Sequence, residues 1–245
     1  MTIQHAIILS AGQGSRLLPL TESRPKCLID FAGKSLLRWQ MEALRANGVT
    51  DIAVVTGFHA KLVEAEMATF EGVTMRSVFN PFYHVADNLG SCWMAREEMR
   101  GDFIILNGDT LVPAEIVKRL IEGAVSPITV TVDVKDSYDL DDMKVEREGA
   151  VLKAIGKTLT PEQTNAESIG MLAFTDEGGA RFRRQVEAMM RTSAGTRNWY
   201  LKAIDQIAPE GIVGTVSIQG LQWGEVDFPE DVETAEVLTR RWAEA

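Results

Sequence analysis

Apolar residues in this chain gather into short runs of strand length that alternate with stretches of helical spacing. The runs fall at residues 6–9, 51–56, 74–79, 103–107 and 128–134, several of them rich in β-branched or aromatic residues. Between them, residues 36–46, 61–69, 90–99 and 113–123 read as helices. Asn47-Gly48 closes the first in the manner of a left-handed cap. Such alternation predicts βαβ units and a mainly parallel sheet whose ligand sites lie at the carboxyl ends of the strands. From residue 143 the pattern changes to short strands at 143–146, 151–155 and 169–174 with polar turns between them, read as an extension of the same sheet. Helices at 182–191 and 200–207, a strand at 214–218 and a terminal helix from Pro229 complete the reading. No repeat or low-complexity linker interrupts it, so one continuous domain is expected.

Composition narrows the picture without deciding it. The 245 residues are 45% hydrophobic and 24% charged, as in ordinary globular proteins, and suffice for a large core. A net charge of −10 argues against a nucleic-acid partner, which asks for a basic face; a free nucleotide needs only a local positive site. Cys27 and Cys92 make neither a disulfide framework nor a zinc site, and His5, His59 and His84 are too scattered to read as ligands. The run at 6–9 is too short for a signal core, and no stretch reaches membrane-spanning length. A reducing cytoplasm, without membrane insertion, is the expected setting.

The chemistry begins where the first strand ends. Leu9-Ser10-Ala11-Gly12-Gln13-Gly14-Ser15-Arg16 is a loop of small residues closing on an arginine, and Pro25-Lys26 follows nine residues later. Small side chains let backbone N–H groups approach anionic oxygens, while Arg16 and Lys26 supply countercharge, a design for holding a polyphosphate. It is neither a dinucleotide fingerprint, since Leu17 stands where the third glycine belongs, nor a P-loop, since no Gly-Lys-Ser/Thr run exists.

Leu9-Ser10-Ala11-Gly12-x-Gly14-Ser15-Arg16 with the distant Pro25-Lys26 resembles the motif of nucleotidyltransferases that join a nucleoside triphosphate to a phosphorylated small molecule. The resemblance implies a Rossmann-like, three-layer α/β/α fold with a small acceptor-binding β extension. Residues 1–135 would hold nucleotide, 136–228 the acceptor, and 229–245 a C-terminal helix. It implies that Arg16 grips the departing phosphates and that Lys26 stabilises charge around the α-phosphoryl group.

Two carboxylates brought together can hold Mg²⁺, which prefers hard oxygen ligands. Asp109 in Asn107-Gly108-Asp109 and Asp227 in Gly224-Glu225-Val226-Asp227 are the expected pair by this family pattern. Glu225 is a rival to Asp227, because alternate residues of a strand share a face. Glu230 and Asp231 read as charges favoured at a helix N-terminus.

Asn88, Gly90 and Ser91 form a polar loop that either caps the following helix or reads a nucleobase and meets the acceptor. Its Asn-x-x-Ser spacing resembles the phosphocholine and inositol-phosphate branch. Lys144, Lys157, Glu167 and Gly170 resemble the acceptor half of those cytidylyltransferases, with Lys157 the first candidate for the acceptor phosphate. Trp199, Tyr200 and Trp223 could form a cage for a quaternary ammonium or simply pack.

The expected reaction is transfer of CMP from CTP to a phosphorylated alcohol, with pyrophosphate released. A sugar-1-phosphate nucleotidyltransferase using UTP, dTTP or GTP is the alternative, and a non-catalytic nucleotide-binding regulator a second. A homo-oligomer is compatible with either.

Overall fold

The computed structural model describes residues 2–244. Its first half runs β1 (His5–Leu9), β2 (Asp30–Phe31), β3 (Lys34–Ser35), α1 (Leu36–Arg45), β4 (Asp51–Thr56), α2 (Ala60–Ala68), β5 (Thr74–Phe79), α3 (Asn88–Met94), β6 (Phe103–Asn107), β7 (Thr110–Leu111) and α4 (Ala114–Gly123). The second half runs β8 (Ile128–Asp133), β9 (Lys144–Glu148), β10 (Val151–Ile155), β11 (Ala166–Phe174), α5 (Asp176–Met190), α6 (Leu201–Ile207), β12 (Val213–Ser217), β13 (Gly224–Glu225) and α7 (Pro229–Glu244).

Nine strands form one sheet in the order β5-β4-β1-β6-β11-β8-β12-β10-β9. β10 and β11 run against the other seven, so the sheet is mixed around a parallel β5-β4-β1-β6 half. Alternate residues of each strand face opposite sides, and two cores result. Ile7, Ile105, Leu172 and Phe174 meet α3, α5 and α6 on one face. Ala6, Ile8, Leu106 and Met171 meet α1, α2 and α4 on the other, giving the three layers.

Helix α1 shows why the chain folds this way locally. Ser35 caps it, its Oγ accepting from Arg38 N at 3.0 Å, which satisfies one of the orphan donors of the first turn. Leu36, Leu37, Met41 and Leu44 are fully buried, each worth about 1.5–3 kcal/mol over exposure.

Two elements differ from the pattern-based reading. The strand expected at 169–174 as part of an outer extension is β11, which begins at Ala166 and lies in mid-sheet between β6 and β8. Its first residues leave β6 and pair with β9 instead, so β11, β8, β12, β10 and β9 close a five-stranded ring. The irregularity in its pairing with β8 falls between Ser168 and Leu172 and contains Gly170 at φ 73°, the left-handed geometry of a strand that turns a corner. Helix α5 starts at Asp176 rather than Phe182. Thr175 caps it through an Oγ1 that accepts from Gly178 N.

Candidate active site

Parallel register puts the ends of β1 and β6 side by side, Leu9 opposite Asn107, so the small-residue loop and Gly108-Asp109 emerge together. Gly108 N donates to Leu9 O at 3.0 Å, and a Cβ on Gly108 would stand 2.4 Å from that oxygen. Only glycine allows this approach. The loop's far side is tied by Phe58 N to Ala11 O.

Asp227 arrives from the other end of the sequence. The short strand β13 pairs antiparallel with β7, Glu225 opposite Thr110, and Val226 N donates to Asp109 O at 3.0 Å. Asp231 at the start of α7 accepts from the backbone N–H of Asp227 and Phe228 at 2.8 and 2.7 Å, so it caps the helix and braces Asp227 at once.

The carboxylates of Asp109, Glu225 and Asp227 offer ligand atoms within 4.8 Å of one another. Glu225 therefore joins Asp227 in this cluster instead of replacing it. Lys26 Nζ lies 2.9 Å from Asp109 Oδ2 and 2.6 Å from Asp227 Oδ1, and Arg16 Nη2 lies 2.8 Å from Asp227 Oδ2. Burial by itself would lower the Lys26 pKa, but the charges of Asp109 and Asp227 outweigh it and raise it. For Asp227 burial works upward and is overcome by Lys26 and Arg16, which hold the carboxyl below its ordinary range. Glu225 goes the other way, pushed up by burial and then by the neighbouring Asp109 and Asp227 charges.

One cleft of about 1040 Å³ contains these groups and runs on past the end of β8 and the first residues of β11, where the five-stranded ring opens. Leu9, Ser10, Ala11, Gly12, Gly14, Ser15, Arg16 and Lys26 line its first half together with Asn88, Ser91 and Asp109. Lys157, Glu167, Gly170 and Trp199 line its second half, with Trp223. The ammonium of Lys157 already lies over the Trp199 ring, 4.9 Å from its centroid.

Three expected site residues are placed elsewhere. Gly90 lies inside α3, its N–H given to Asp87 O, with a Cβ there falling 2.9 Å from Ala86 Cβ, and it does not line the cleft. Lys144 is buried, with Nζ directed at the carbonyls of Leu140 and Lys157, 3.4 and 3.2 Å away. It ties down the turn after β10 that carries Lys157. Tyr200 has no exposed surface and packs edge-on to Phe182, so it is core and cannot form a wall of a cage. Trp223 donates Nε1 to Asp133 Oδ2 at 2.9 Å. Asn88 lines the cleft as the first residue of α3, where a loop was expected, and its Oδ1 accepts from Tyr200 N at 2.9 Å, which pins the start of that helix to the segment bearing Trp199.

Other lining residues carry charge that the pattern-based reading passed over. Lys135 Nζ contacts Glu167 Oε1 at 2.7 Å and Asp142 Oδ2 at 3.3 Å, and Asp133, Asp139 and Asp141 stand nearby along the cleft. Asp133 and Lys135 lie at the carboxyl end of β8, so the strand-end rule that singled out Asp109 applies to them equally.

Residues 5–194 match the family described as Nucleotidyl transferase. The CTP:phosphoglutamine cytidylyltransferase of Campylobacter jejuni is 25% identical over 252 residues, covering 94% of this chain and 98% of that protein. The bifunctional IPC transferase and DIPP synthase of Aquifex aeolicus is 26% identical over 238 residues, 95% of this chain but 51% of its own length. Among solved structures, the inositol-1-phosphate CTP transferase from T. maritima matches with a TM-score of 0.83 at 21% identity, over 98% of this chain and 96% of that one, a likeness of fold. With the small-residue loop, the carboxylate cluster and the mixed sheet in place, this chain belongs to the nucleotidyl transferase family.

Proposed function

We propose that the cleft transfers CMP from CTP to the phosphate of a phosphorylated small alcohol, of the phosphocholine or inositol phosphate kind. An acceptor phosphate oxygen attacks the α-phosphorus, the bond from that phosphorus to the β-phosphate bridging oxygen breaks, and pyrophosphate leaves. The observation that carries this reading is a single cleft with two separate pairs of cations, Arg16 and Lys26 beside the small-residue loop and Lys135 and Lys157 just past the ends of β8 and β10. Relatives whose names include CTP support cytidine as the base.

Catalysis on this reading is positioning and charge neutralisation, because no covalent intermediate is needed. Backbone N–H groups of residues 10–15 and the Arg16 guanidinium hold the β and γ phosphates. Lys26 stabilises the charge gathering on the α-phosphoryl oxygens. Lys157 orients the acceptor phosphate along the line of attack, with Lys135 beside it.

The carboxylate cluster fits Mg²⁺. Its donors are all oxygens, and Asp109 Oδ1 is buried with no hydrogen-bond partner among the described residues. Asp109, Glu225 and Asp227 would hold the ion, which supplies neutralisation of phosphate charge when bound. The described residues contain no helix long and apolar enough to cross a membrane. Two buried free thiols, Cys27 and Cys92, fit a reducing cytoplasm.

Pyrophosphate release measured with CTP, UTP, dTTP and GTP against phosphocholine, inositol phosphate and hexose 1-phosphates tests the assignment. Turnover should be fastest with CTP and a phospho-alcohol. Activity with hexose 1-phosphate and UTP, dTTP or GTP alone would move the protein to the sugar branch.

A further inference from the structure

The cations that face the carboxylate cluster are placed to govern when a metal can enter it. Asp227 has both oxygens engaged, Oδ1 by Lys26 and Oδ2 by Arg16. Lys26 also spans to Asp109, at 2.9 Å from Oδ2. The Lys26 side chain is 14% exposed and its stem is hemmed in by Gly14, where a Cβ would come within 2.8 Å of Lys26 Cβ. Arg16 is 51% exposed and solvated. One cation is thus built into the cluster, and the other lies across its mouth.

We infer that Lys26 competes with the divalent cation for Asp109 and Asp227, so that metal binds weakly until a triphosphate draws Lys26 and Arg16 onto its own oxygens. This rests on the proposed metal site. An ammonium and a divalent ion sharing carboxylates in a half-buried cleft repel strongly, because little water lies between them to screen the charge. The apparent affinity for metal is therefore reduced by the fraction of molecules in which Lys26 has let go. By linkage, whatever the triphosphate does for metal binding, the metal does equally for the triphosphate. Before substrate arrives, the same contact is useful: it keeps two carboxylates facing each other that would otherwise repel. Lys26 acts in succession as a stand-in cation and as a phosphate ligand, and Arg16 plays the weaker, solvated version of the part.

The test is a titration with Mn²⁺ alone, free ion being read by electron paramagnetic resonance, on wild type, Lys26→Met, Arg16→Gln and Asp109→Asn. Lys26→Met should bind Mn²⁺ roughly tenfold tighter or more. Arg16→Gln should show a smaller gain. Asp109→Asn should bind more weakly than wild type. If Asp109→Asn binds as wild type does, the metal site itself is wrongly placed. If Asp109→Asn weakens binding while Lys26→Met binds no tighter than wild type, the site stands and the competition is refuted.

A second measurement needs no variant. Saturation of the wild-type protein with Mn²⁺ should raise the acylation rate of Lys26, followed by peptide mass spectrometry, because displacement frees the amine. An unchanged rate overturns the competition even where Lys26→Met does not fold.

Discussion

Glu167 is a deeply buried charge in the half of the cleft formed by β8 and β11. Its side chain is 3% exposed, and burial, together with the Asp142 carboxylate, pushes its pKa up to about 7 against the opposing pull of Lys135. A carboxyl whose folded pKa lies above its unfolded value of 4.5 contributes stability that is full below pH 4.5 and is lost as pH rises through about 7. Glu167→Gln, which cannot titrate, lacks this dependence. The melting temperature of wild type minus that of Glu167→Gln should accordingly fall between pH 5 and pH 7 and level off by pH 8. A difference that stays constant across this window would show that Glu167 is ionised in the fold throughout. The group was legible in the sequence as an acceptor-side candidate. Its partner Lys135 was not, because nothing in the local pattern ties a strand-end lysine to a glutamate thirty-two residues later.

Elements show most clearly where local preference yields to packing. Gly178 and Gly179 argue against a helix, glycine costing about 0.8–1.0 kcal/mol relative to alanine in a helix interior. Yet α5 runs through both, because a Cβ on Gly178 would fall 1.9 Å from Pro127 O and one on Gly179 2.4 Å from the Phe103 ring. Close approach of α5 to the sheet is what the glycines permit. Gly178→Ala gains the helix propensity but meets a backbone oxygen that cannot turn aside, and overpacking of this kind costs about 1–3 kcal/mol. The variant should therefore unfold at lower denaturant than wild type. A midpoint at or above that of wild type would show that α5 can shift outward without penalty. The same logic applies to β13, two residues long and without a strand pattern of its own, which exists only because β7 offers it an edge.

At the scale of the whole molecule, the net charge of −10 extends into the cleft, where four cations, Arg16, Lys26, Lys135 and Lys157, stand among ten carboxylates, so on the proposed reading a polyphosphate is held by where those four are placed and by a divalent ion on the carboxylates. Ligands that bind only the native state raise its apparent stability. At one hundred times the dissociation constant the gain is about 2.7 kcal/mol, or about 5–10 °C for a chain of this length. With Mg²⁺ present, CTP should shift the melting temperature by this much and further with the correct phospho-alcohol, whereas UTP and GTP at the same concentration should shift it less. Equal shifts from every triphosphate would remove the support for cytidine.

The sequence by itself determined the strands of the parallel half, the small-residue loop with Arg16 and Lys26, and the separate motifs holding Asp109 and Asp227. Each of these is a local pattern of side-chain size, charge and periodicity, complete within at most the 18 residues from Leu9 to Lys26. Only the tertiary structure decided that β11 crosses the sheet and closes a ring, that Glu225 joins the two aspartates, and that Lys26 spans them. It also removed Gly90, Lys144 and Tyr200 from the cleft and put Lys135 into it. These outcomes depend on contacts between segments far apart in the chain, such as the 83 residues between Lys26 and Asp109 and the 201 between Lys26 and Asp227. Packing, not local preference, sets which of those segments meet.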